Sequence, residues 1–200
     1  NTTEQLFVFS EFLVDIFCNL AEKFTKKESE FIQIIFDNIK RFLELSNHEL
    51  ITLDNGNKII VEKNVYASEA SQIVSETSIE EAIKVLEYNH FSNKGNIQRK
   101  KEILIALANY LEPFRRELNN SEELKDILKV NNQKVIAFEK LFEMYNNFGL
   151  RHNNSNQYHL DLTDDELEQW YDDIYTSTLF VILSMDESRI LSKLKTLREE

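Results

Sequence analysis

Proline occurs once in these 200 residues and glycine three times. So few chain breakers leave little room for the tight turns of a sandwich or barrel, and they argue for long helices. The single cysteine, Cys18, excludes an intrachain disulfide and a cysteine-based zinc framework. It falls in an apolar periodic run, so a buried structural thiol is expected, and that usage suits a reducing cytosol. Positive charge is also scarce, with 23 Lys and Arg against 35 Asp and Glu for a net charge of −12. An acidic excess of that size argues against a broad surface that coats DNA. The apolar stretch from Leu6 to Phe24 is interrupted by Glu11, Asp15, Asn19 and Glu22 and lacks a basic leader. Neither a signal peptide nor a membrane span is expected there.

What the chain does contain is helical patterning. Apolar residues make up 42% and charged residues 29%, the balance of a soluble globular protein. A chain of this length buries roughly 70% of its unfolded surface. Leu6, Phe9, Leu13, Phe17, Leu20 and Phe24 recur every three or four residues, which predicts one buried helix face. Thr2–Gln5, Thr25–Glu28 and Ser78–Glu81 have capping-box spacing. The second box opens a predicted helix to about Leu45, with Phe31, Ile34, Ile35, Asn38, Ile39 and Phe42 on or beside its inner face.

Residues 51–61 read differently, as a small β-hairpin about an Asn55-Gly56 turn. Helices then follow: one from Ser78 to near Asn89, and a long one from Ile97 to Leu118 that Pro113 should kink. Next come a short helix near Ser121–Leu128 and a longer one from Asn132 to Phe148, ended by Gly149. Thr163–Met185 is the next, with Leu167, Trp170, Tyr171, Ile174, Thr178 and Val181 on one face, and Asp186 capping a last charged segment. The predicted class is all-α, a bundle of long helices with one small hairpin near residues 51–61.

Chemistry-bearing motifs are few. No Gly-rich phosphate loop and no His-Glu-x-x-His pattern occurs. His48 and His90 stand alone and read as surface or helix-end histidines. Asp161, Asp164, Asp165, Glu166, Glu168, Asp172 and Asp173 favour a helix start and read as a solvated, capped face without metal-ligand spacing. Two basic clusters, Lys94–Arg99–Lys100–Lys101 and Arg115–Arg116, read as solvated faces or as the walls of a local nucleic-acid cleft.

The connector from Phe148 to His159 is the exception. It sets a permanent guanidinium, two imidazoles and six amide or hydroxyl side chains side by side. A polar helix-to-helix connection accounts for the amides. Arg151 beside His152 and His159 also suits phosphodiester chemistry, in which the guanidinium steadies a non-bridging oxygen and an imidazole handles the proton.

Asn146-Asn147-Phe148-Gly149-Leu150-Arg151-His152-Asn153-Asn154 between two long helices resembles the signature of HEPN-domain proteins of the abortive-infection branch of phage defence. The stretches Asn93–Leu104 and Leu111–Leu118 are similar to that branch as well, so the resemblance spans Ser78 to Met185. Arg151 matches the family's arginine and His152 its polar position. His159 is the nearest match to the final histidine, with one intervening residue more than the pattern allows. Either the loop is extended or His152 is the working imidazole.

The resemblance implies a HEPN-like domain over residues 78–200, with 1–77 as accessory helices plus the hairpin, packed as one globular unit. It further implies a cytoplasmic, metal-independent endoribonuclease without cofactor, acting as a homodimer on RNA through 2′-hydroxyl attack, with an antitoxin or regulatory partner. In that reading Arg151, His152 and His159 are catalytic. Asn153, Asn154, Arg115, Arg116 and Lys101 contact substrate, and Glu112 orients Arg151. The rival reading is a non-catalytic HEPN-like module that dimerises and binds RNA, a nucleotide or a protein.

Overall fold

The computed structural model describes residues 2–20, 23–53, 55–151, 157–158 and 161–199. Its elements are α1 (Thr2–Leu20), α2 (Lys26–Leu45), β1 (His48–Thr52), β2 (Lys58–Glu62), α3 (Val65–Ser75), α4 (Ile79–Glu87) and α5 (Ile97–Leu111). Then come α6 (Arg115–Asn120), α7 (Glu122–Ile127), β3 (Val130–Asn131), β4 (Lys134–Val135), α8 (Ile136–Asn147) and α9 (Asp164–Glu199). The architecture is the all-α bundle with a small β-hairpin that the patterning predicts.

Local chemistry explains most boundaries. Thr25 caps α2 as a full box: its hydroxyl accepts from the Glu28 N–H, and the Glu28 carboxylate accepts from the Thr25 N–H at 2.8 Å. β1 and β2 pair antiparallel, Leu50 opposite Ile60, around a turn where Gly56 takes φ 84°, a left-handed value that side chains disfavour. Pro113 ends α5 in a 3₁₀ turn, Glu112–Phe114, before α6 resumes. Gly149, at φ 66°, closes α8, and the Leu150 N–H reaches back to the Tyr145 carbonyl at 3.0 Å in a Schellman-type stop.

Two apolar cores result. The larger is built from α3 to α9 and includes Leu104, Leu107, Phe138, Phe142, Tyr145 and Ile174. The smaller holds Phe7, Leu43 and Ile60, flanked by Phe42, Leu50 and Phe91, and ties α1 and α2 to the hairpin.

Several expectations are corrected. α1 buries Phe7, Ser10 and Val14, while Leu6 and Phe9 from the predicted inner face are exposed. Apolar residues surround most of that helix, so periodicity alone does not choose a face. Glu11 and Asp15 choose it by accepting the outward N–H groups of Ile60 and Lys58 on the free edge of β2, at 2.6 and 3.3 Å. Cys18 is exposed rather than buried: it lies one turn past Val14, the last buried residue of α1. On α2, Phe31, Ile34 and Asn38 also lie on the surface.

Ser78 makes no bond to the helix backbone and bonds the Glu81 carboxylate instead. α8 starts at Ile136, because Asn132 and Gln133 adopt φ 48° and 63° in a tight turn between β3 and β4. α9 runs past Met185 without a break: Asp186 pairs with Arg189 one turn on, and no proline or glycine interrupts. Trp170 flanks the buried face and tilts over Phe148 at 5.1 Å.

Candidate functional site

Arg151 emerges directly after the α8 stop. Leu150, fully buried beside it, anchors the chain, so the Arg151 backbone leaves a fixed point. Its side chain is 12% exposed and its Nη1 lies 2.6 Å from Glu112 Oε2. That oxygen makes no aligned hydrogen bond among the described residues, so the contact is a close ion pair. Glu112 is available because the Pro113 break begins there. Burial raises the Tyr145 phenol above its usual range, offset in part by its bond to Thr178 and by the positive charge of Arg151. The Tyr145 hydroxyl and Thr178 Oγ1 are 2.6 Å apart inside the core. Arg151 is therefore held between the α5–α6 break and the buried end of α8, with Glu112 as its counter-ion, the pairing that the sequence anticipates.

The same end of α8 carries an orphan. Asn146 Oδ1 is buried and has no hydrogen-bond partner among the described residues. The Tyr158 N–H returns to the Asn147 carbonyl at 2.9 Å, which pins the connector to α8. His152, Asn153, Asn154 and His159 lie outside the described residues.

The auxiliary residues divide. Arg115 pairs with Glu139 at 3.0 Å and lies 4.7 Å above the Phe142 ring. Burial raises the Glu139 carboxyl, but hydrogen bonds from Arg115 and Asn119 outweigh it and hold the group below the usual range. Arg116 is exposed and Lys101 half-buried. Neither has an ion partner among the described residues. Arg151–Glu112 and Arg115–Glu139 are thus two separate ion pairs on either side of the Pro113 break, the first beyond the end of α8 and the second at its first turn.

A second constellation escaped the sequence reading. Lys100 is buried, with its ammonium 2.7 Å from both Glu168 and Asp172. Tyr88 donates to Asp172 at 2.9 Å and stacks on Tyr175 with ring centroids 3.9 Å apart. The Tyr175 hydroxyl donates to the Val85 carbonyl at 2.6 Å. Burial and the Asp172 charge push the Tyr88 phenol far up, and burial does the same for Tyr175. For Glu168, bonds from Lys100 and the Gly95 N–H overcome the upward push of burial. His90, which reads as isolated, bonds Glu11 through Nε2 at 2.8 Å and Ser92 through Nδ1 at 2.6 Å. His48 packs on Phe7 at 4.3 Å.

These groups wall a cleft of about 820 Å³, with Glu62, Asp165, Glu168 and Asp172 facing Lys94 and Lys100. Its excess of carboxylates repels phosphate. One signal could have found this network: the basic start of α5 and the acidic start of α9 are complementary clusters, each of which reads alone as a solvated face. Among the described residues, no three His, Cys, Asp or Glu converge as a metal site requires.

No protein-family model matches the chain, and neither a curated protein nor a solved structure matches it significantly. No described helix is long and apolar enough to cross a membrane.

Proposed function

We propose that the chain is a HEPN-type endoribonuclease of phage defence, with Arg151 at its centre. The observation that carries this reading is the Arg151–Glu112 pair: the guanidinium of the motif is held by a carboxylate presented at a helix break, at the mouth of the His-rich connector. A clamped guanidinium costs little reorganisation when charge develops on a phosphate. In the proposed reaction, the RNA 2′-oxygen attacks the adjacent phosphorus and the bond to the 5′-oxygen breaks. The 2′-hydroxyl proton passes to an imidazole of His152 or His159, and a proton returns to the departing 5′-oxygen. The products are a 2′,3′-cyclic phosphate and a 5′-hydroxyl. Arg151 stabilises the non-bridging oxygens, while Glu112 is a positioning residue. As the resemblance implies, a second copy would complete the cleft in the cytoplasm, and an antitoxin or other partner would restrain it.

The test is cleavage of total bacterial RNA by the purified chain. Arg151→Ala should lose at least about 100-fold in rate with its helicity intact, and Glu112→Gln should lose less. Cleavage undiminished in Arg151→Ala would reject the assignment.

A specific observation favours the second reading, a non-catalytic module. Arg115, Arg99 and Lys100 are each neutralised by carboxylates, and the cleft beside Lys100 is acid-rich, so the described surface offers RNA little positive field. Induced expression separates the two readings. Growth arrest that the His152/His159 double variant abolishes supports the enzyme, and harmless high-level expression supports the module.

A further inference from the structure

Helix α1 is inverted. Its charged residues are Glu4, Glu11 and Asp15. Glu11 and Asp15 turn inward onto β2 and His90, and Glu4 lines the cleft. At 3.6 residues per turn, the opposite arc carries Phe9, Phe12, Leu13 and Ile16, with Leu6 and Val8 at its margins and no charge. A helix that spends its carboxylates on the interior and turns phenylalanines to water has its outer face covered by something.

On the neighbouring helix α2, Phe31 and Ile34 are exposed as well, there beside the charged Lys27, Glu30 and Arg41. Both helices carry a burial period in sequence that the single chain leaves unburied. Leu6, Val8, Phe9, Phe12, Phe31 and Ile34 are 46 to 65% exposed. At roughly 200 Å² per large side chain, the six leave on the order of 700 Å² of apolar surface uncovered. A lone protein seldom tolerates that much, and a stable contact uses about 800 Å² per partner. A depression of about 420 Å³, lined by Phe17, Phe24, Phe31 and Ile32 together with Lys27 and Glu28, opens between α1 and α2 and has the apolar floor that an aromatic knob needs. The other exposed apolar series, Ile190, Leu194 and Leu197 on α9, is interleaved with Arg189, Lys193, Lys195 and Arg198 and does not share this character.

We infer that the outer face of α1 and α2 is the contact with a second copy of this chain. Two molecules of net charge −12 repel, so self-association must run through surface free of carboxylates, and the α1 arc is such a surface. An apolar patch is also its own complement, which is what a two-fold contact between identical chains requires. The inference does not use Arg151 or the connector, and it puts the two-fold contact on α1 and α2 instead of at the cleft that the proposed enzyme would share with a second copy.

Sedimentation equilibrium of the whole chain, alongside Phe9→Glu/Phe12→Glu, tests it. Both positions are exposed, so the helicity of the variant should match wild type by circular dichroism. Wild type should sediment at twice the 23.7 kDa chain mass. The double variant should dissociate with a Kd at least about 100-fold weaker, and Arg151→Ala should remain paired. A wild-type monomer at tens of micromolar overturns the inference. So does a dimer that survives Phe9→Glu/Phe12→Glu and falls apart in Arg151→Ala, which would put the contact at the connector.

Discussion

Helices α5 and α8 leave no large apolar side chain on the surface, whereas α1 and α2 leave Leu6, Phe9, Phe12, Phe31 and Ile34 there. The first pair sits in the interior of the larger core, with α9 against both, α4 against α5 and α6 against α8, so each apolar stripe finds a partner. The second pair packs on the hairpin, on each other and on the turn at His90–Phe91. Phe7, Leu43 and Ile60 are what the small cluster fully buries. The contrast teaches that amphipathic period reports how much burial a helix needs, and the single chain decides how much it receives. The larger core meets its own need; α1 and α2 do not.

Substitutions sharpen this comparison. Phe142→Ala, deep in the larger core, should destabilise the whole chain by about 3–5 kcal/mol in denaturant titration. Phe7→Ala should cost less, below about 3 kcal/mol, because its site can collapse towards solvent. It should also release α1 and α2 locally, visible as faster amide exchange there with α5 and α8 still protected. Equal cost and global loosening from Phe7→Ala would break the comparison.

Lys100→Met removes the buried cation at the seam of α5 and α9. Glu168 is then left half-buried and unpaired, while Asp172 remains partly solvated, so a loss of about 2 kcal/mol is expected, below that of a fully buried pair. Acid should act on buried pairs of this kind. The carboxyls of Glu87, Glu139 and Glu168 are held below their usual range by Arg99, Arg115 and Lys100, each against the upward push of burial. A depressed folded pKa gives stability that is present above the unfolded value and lost as pH falls through the folded one. Unfolding midpoints should therefore hold near neutrality and drop below about pH 4.3. A midpoint that rose on acidification would contradict the pairing. Phe12→Ser should be the mildest change, within about 0.5 kcal/mol for the dilute single chain.

Much of the fold was legible in advance. The Asn55-Gly56 hairpin, the Pro113 break, the Gly149 stop and the Thr25 capping box each follow from a local rule that needs no tertiary contact. The face of α1 was not legible, because apolar residues surround most of the helix and the choice was made by hydrogen bonds from a hairpin edge about fifty positions away. The turn at Asn132-Gln133 lacks glycine, so nothing marked its left-handed geometry. At the candidate site, the Arg151–Glu112 pair was anticipated. The Lys100–Glu168–Asp172 network was missed, since solvated charge clusters and complementary ones look alike in one sequence.

The most direct measurement of the central contrast is hydrogen exchange at two protein concentrations, one well below and one well above the association midpoint. Protection of α1 and α2 amides should grow with concentration, while α5, α8 and the first half of α9 stay as they are. Exchange in α1 and α2 that ignores concentration would contradict the account.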